Sequence, residues 1–151
     1  MSDTQTLALL IQRKRHCVEQ LHALGGEQLA CIERGDIDGL FSVLDARQKW
    51  LSAFERIEEL LKPYRQQEPS QRHWADERLR EQCRADQAAC QQLLGEIAAC
   101  EERCRSLLQA QCDEMAMQMR QMNGGHRAAS GYLAAAAAPD TGGCLDLSAE
   151  S

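Results

Sequence analysis

The stretch GDIDGLFSVLDARQKWLSAF, residues 35–54, decides the fold. It opens on Gly-Asp and then repeats apolar residues at threes and fours, the spacing of a helix with one buried stripe. Gly35 can take the left-handed backbone conformation that ends a helix, and Asp36 can accept the amide hydrogen bonds that begin the next. The pair therefore predicts a tight turn between two antiparallel helices. After the turn, Ile37, Leu40, Phe41, Leu44, Leu51, Phe54, Ile57, Leu60 and Leu61 are expected to form one face of a helix running from Ile37 to about Leu61, with Leu44 in the hairpin core. Before it, Leu7, Leu10, Ile11, Val18, Leu21, Leu29 and Ile32 carry the same spacing from about Asp3 to Arg34. Gly25 and Gly26 interrupt that first segment, and at up to ~1 kcal/mol each in a helix interior they predict a kink or a frayed turn. Residues 35–54 carry no catalytic signature, so the helix itself is expected to be the working part.

Pro63 and Pro69 bracket KPYRQQEP, read as a polar connector. Beyond it the third and longest segment runs from about Ser70 to Met122. Its stripe is Leu79, Cys83, Asp86, Cys90, Leu93, Ile97, Cys100, Cys104, Leu107 and Gln111, whose alternating threes and fours make a coiled-coil seam with Asp86 and Gln111 as polar exceptions. At 1.5 Å per residue this helix would reach on the order of 80 Å, against roughly 40 Å for each of the others, so part of it outruns its partners. A hinge at Gly95 would shorten the overhang. The expected fold is all-α: an antiparallel helical hairpin packed on a long third helix, a three- to four-helix coiled-coil bundle over residues 1–122. Residues 123–151, with Asn123-Gly124-Gly125, Pro139 and Gly142-Gly143, read as a flexible or fold-on-binding tail.

Composition narrows the function. Aromatic residues make up only 4% of the chain and charged ones 26%, and 17 basic against 23 acidic residues leave a net charge of −6. Such a surface argues against nucleic acid, whose phosphates need neutralising cations. No apolar run approaches the ~20 residues that span a bilayer, and MSDTQTLALLIQRKRH places its apolar patch before its basic cluster, the reverse of a signal peptide. A cytoplasmic location without membrane insertion is expected.

The 8 cysteines form no Cys-x-x-Cys pair. Cys83, Cys90 and Cys104 share one heptad position with Ile97, which reads as small hydrophobes in a core. Cys100 and Cys104 lie one turn apart, the alternative being a shared metal, but structural zinc needs four ligands and no His is near on that helix. His16, His22, His73 and His126 are scattered, Glu58-Glu59 and Glu101-Glu102 fit solvated faces, and Gly124-Gly125 follows a helix instead of opening one. No catalytic residue, cofactor or metal is expected.

The candidate partner-binding residues are Leu107, Leu108, Met115, Met119, Met122, Tyr132 and Leu133. Methionine is a flexible filler of adaptable grooves, and Met115, Met117, Met119 and Met122 cluster where the hairpin's cover should end. The competing reading packs these methionines in a core or a dimer seam. GYLAAAAA in the tail has high helix propensity and suits a segment that folds on a partner.

The pattern GDIDGLFSVLDARQKWLSAFERI, preceded by LACIER and followed by a long heptad helix and a Tyr-containing tail, resembles the FlgN-type flagellar export chaperones, with the FliT type close behind. In that family a Gly-Asp or similar turn opens a helix with an apolar face and a Lys near its middle, matched here by Gly35, Asp36, Leu40, Leu44, Lys49 and Leu51. The resemblance covers roughly residues 5 to 122. It implies a chaperone that holds the disordered terminus of late-exported hook-filament junction (hook-associated) subunits, prevents their aggregation and delivers them to the export gate. The client's C-terminal helix and an export gate component would be the partners, the protein itself being a monomer or weak homodimer, and Tyr132 would contribute to gate docking. Alternatives are a FliT-like chaperone of the filament cap protein, a self-associating structural or regulatory coiled-coil protein, and a metal-binding bundle.

Overall fold

A computed structural model describes residues 2–150, with side chains up to residue 135. Among the described residues the chain is helical, with α1 at Asp3–Arg34, α2 at Ile37–Arg65, a short 3-10 turn at Pro69–Gln71 and α3 at Glu77–Glu150. It forms two units that divide after Leu108.

The first unit, which ends at Leu108, is a helical bundle of the expected class. Gly35 ends α1 with φ 69°, its amide donating to the carbonyls of Cys31 and Ile32. Asp36 then caps α2 by accepting the Gly39 amide at 2.9 Å. Gly39 leaves room for this cap, because a Cβ at that position would stand 2.3 Å from Asp36 Oδ2 and push the carboxylate aside. The two helices run antiparallel. Lys14 Nζ lies 2.8 Å from Glu58 Oε1 and 5.8 Å from the centre of the Phe54 ring, and His16 meets Trp50 edge to face. Helix α3 runs parallel to α1, with Arg15 bonded to Asp86 and Arg103 facing Glu33 further along. It runs antiparallel to α2, where Arg47 pairs with Glu101.

The core gathers Leu7, Leu10, Ile11 and Cys17 of α1, Ile57 and Leu61 of α2 and Cys83 of α3. Every residue of the expected α3 seam from Leu79 to Gln111 is buried or half-buried. Cys83, Cys90 and Cys104 are core residues, as their heptad position requires. Burial pushes the thiols of Cys17, Cys83, Cys90 and Cys104 above their ordinary value. Asp86, polar in an apolar seam, is 4% exposed and accepts hydrogen bonds from Arg15 at 2.8 Å and Gln82 at 3.0 Å, so its buried charge is paired.

Several expectations are corrected. Helix α1 passes through Gly25 and Gly26 unbroken. Packing overrides propensity there, and the Cys100 thiol on α3 donates to the Gly25 carbonyl at 3.3 Å. Helix α2 continues beyond Leu61 to Arg65 with Pro63 inside it. The amide missing from Pro63 leaves the Glu59 carbonyl without its helical partner, but Glu59 is exposed to water, and Lys62 and Arg65 anchor the last turn to Glu59 and Glu58. Helix α3 starts at Glu77 instead of Ser70, because Asp76 is the residue able to cap it, its side chain accepting the Arg78 amide at 3.0 Å. It is continuous through Gly95 and past Met122. The alanines from residue 128 onward, with the best helix propensity, carry it beyond Gly124-Gly125.

The largest correction concerns the face of α2. Ile37 and Phe41 are 64% and 62% exposed, and Leu44 and Leu60 are exposed as well. The inward row is instead Leu40, Val43, Arg47, Trp50, Phe54, Ile57, Leu61 and Tyr64, itself spaced at threes and fours, with Val43, Ile57 and Leu61 buried and the others half-buried. Leu44 is therefore not a core residue. It lies about 100° around the helix from Val43.

Candidate partner-binding site

Helix α3 in the second unit begins at Gln109. At about 100° per residue, Met115, Met119, Met122 and Leu133 fall within a sector roughly 60° wide. Their exposures are 62%, 61%, 73% and 69%, so four large apolar side chains on one helical face are open to solvent. Met115, Met119 and Met122 lie on successive turns, His126 follows on the same side and Leu133 extends the row beyond it; exposed apolar rows of this kind are candidate partner surfaces.

The sequence-predicted residues divide on this geometry. Met115, Met119, Met122 and Leu133 share the stripe. Tyr132 is also exposed but sits about 100° off it, so it does not belong to the same contact line. Met117 points to the side opposite Met115, which fits a solvated position. Leu107, half-buried, and Leu108, 38% exposed, lie in the first unit. Around the stripe the polar residues satisfy one another along the helix: Gln109 donates to Asp113, Gln118 to Glu114, and Arg120 to the Ala116 carbonyl. These bonds hold the polar flanks without covering the methionines.

Sequence reasoning missed a second apolar face. Ile37, Phe41 and Leu44, spaced four and three apart on α2, form a smaller open row in the first unit. Spacing alone could not separate it from the inward row, because Ile37, Leu44 and Leu51 recur at sevens just as Val43, Trp50 and Ile57 do. Among the described residues no group of three or more His, Cys, Asp or Glu side chains is placed to hold a metal ion, and no helix is long and apolar enough to cross a membrane. No protein-family model, no curated protein and no solved structure matches the chain. The class defined by the fold is a three-helix bundle whose last helix carries an open methionine stripe.

Proposed function

We propose that the protein is a cytoplasmic export chaperone of the FlgN type, which holds an amphipathic helix from the disordered terminus of a hook-associated flagellar subunit. The observation that carries this reading is the open stripe of Met115, Met119, Met122 and Leu133. An amphipathic helix lays its apolar face into such a surface through residues spaced at threes and fours, and methionine side chains re-pack around different shapes. The two-helix hairpin opened by Gly35 and Asp36 matches the resemblance in architecture.

The experiment is multi-angle light scattering of the chain mixed with a hook-associated subunit from the same genome, intact and without its C-terminal helix. A defined one-to-one complex with the intact subunit, lost on truncation, is the expected result. A homodimer that the subunit leaves unchanged would favour the self-associating coiled coil instead, because the same stripe has the spacing of a dimer seam.

A further inference from the structure

A small cavity beside the α2–α3 connector collects basic side chains from every element of the first unit. It measures about 260 Å³. Lys14 enters it from α1, Arg65 from the end of α2, Arg72 from the connector, and Arg80 and Arg84 from α3. Two half-buried aromatic side chains, Tyr64 and Trp74, complete the wall. On a chain of net charge −6 this local excess of cations stands out.

Carboxylates answer only part of that charge. Glu58 pairs with both Lys14 and Arg65, and Glu77 lies 3.8 Å from Arg80. Arg72 is held by neutral oxygens, donating to the Tyr64 carbonyl and to Gln67 Oε1. Neither Arg72 nor Arg84 meets a carboxylate among the described residues. Gathering unanswered like charges costs energy unless an anion joins them. At Cys83, which also lines the cavity, burial and Asp86 raise the thiol and Arg72 opposes them in part.

We infer that this cavity binds a small phosphate-bearing anion, its phosphoryl oxygens among Arg72, Arg80 and Arg84 and its organic portion against Trp74 and Tyr64. Guanidinium forks match phosphate oxygens in pairs, and two unanswered charges suit a dianion better than a single carboxylate. The volume lies below the roughly 300–1,000 Å³ of drug-sized pockets, which limits the ligand to a small molecule. The aromatic walls favour a ring or other flat apolar portion over a bare ion.

The test follows the indole N–H resonances of Trp74 and Trp50 while the full chain is titrated with phenyl phosphate, with inorganic phosphate, and with sodium chloride at matched ionic strength. Saturable movement of the Trp74 signal by phenyl phosphate in the millimolar range is expected, with Trp50 still and inorganic phosphate binding more weakly. Arg84→Gln should weaken phenyl phosphate at least tenfold and leave the unfolding midpoint unchanged, because Arg84 is exposed and holds no ion pair in the fold; Arg80→Gln, which also removes an exposed pair with Glu77 that contributes little to folding, serves as a second variant for the loss of binding. A response no larger than the chloride control, or unchanged affinity in both variants, overturns the site. Equal affinity for inorganic and phenyl phosphate overturns the role given to Trp74 and Tyr64.

Discussion

The turn between α1 and α2 makes a quantitative prediction about Gly39. Substituting Ala there places a Cβ 2.3 Å from Asp36 Oδ2, well inside van der Waals contact. The carboxylate must then swing away from the Gly39 amide that it accepts at 2.9 Å. Losing such a cap costs about 1 kcal/mol. Replacing a helical glycine by alanine returns about 1 kcal/mol through helix propensity and the unfolded chain. The two effects cancel, so Gly39→Ala alone should stay within about 0.5 kcal/mol of the parent, itself near the scatter of surface substitutions. Asp36→Ala alone should cost about 1 kcal/mol. In that background no carboxylate obstructs the new methyl, and Gly39→Ala should now stabilise by about 1 kcal/mol. The coupling of about 1 kcal/mol exceeds the roughly 0.3–0.5 kcal/mol scatter of independent sites. Urea unfolding of the four proteins, followed by far-UV circular dichroism with a common slope, measures it. If Gly39→Ala stabilises equally in both backgrounds, the cap does not depend on the glycine and the reasoning fails.

Three further outcomes are expected. Leu61→Ala, at 3% exposure in the core cluster, should cost about 2–5 kcal/mol in the same assay, whereas Phe41→Ala on the open row of α2 should cost far less; equal losses would put Phe41 in a core. In the native protein a thiol reagent should modify Cys112, which is exposed, much faster than Cys90, which is 1% exposed and whose thiol is pushed up by burial, and peptide mass mapping would show the reverse if the seam were open. The raised thiols also set an alkaline limit. Their contribution is complete below the ordinary thiol value of 9.0 and is lost as pH rises above it, because the unfolded chain ionises first, so the melting temperature should fall above about pH 9 and fall less steeply in Cys90→Val.

How much of this was legible in the sequence depends on where the deciding contacts lie. Gly35 and Asp36 act on their immediate neighbours, so the turn could be read directly. The α3 seam was legible because a single row of apolar residues recurs at a constant spacing from Leu79 to Gln111. Helix α2 is different: its first half carries two apolar rows, one through Leu40 and Val43 and one through Ile37, Phe41 and Leu44. Which row turns inward is set by long-range contacts such as Trp50 on His16, and local spacing does not contain them. The same holds for Asp86, recognisable as an exception but paired with an arginine 71 positions away. Within the candidate site, the common face of Met115, Met119, Met122 and Leu133 follows from helical period once α3 continues past Gly125. Reading Asn123-Gly124-Gly125 as the end of regular structure hid it.

If the methionine stripe holds a client helix as proposed, stability and binding separate in one variant. In Met115→Lys with Met119→Lys, both positions are more than 60% exposed, so the thermal transition should stay within about 2 °C of the parent. An incoming apolar helix would have to bury two ammonium groups, which should weaken capture of the hook-associated subunit at least about 100-fold by titration calorimetry. A variant that melts as the parent does and has lost its client is the predicted result. A variant that unfolds would place the methionines in a core, and one that stays folded and binds the client with undiminished affinity would place the client elsewhere.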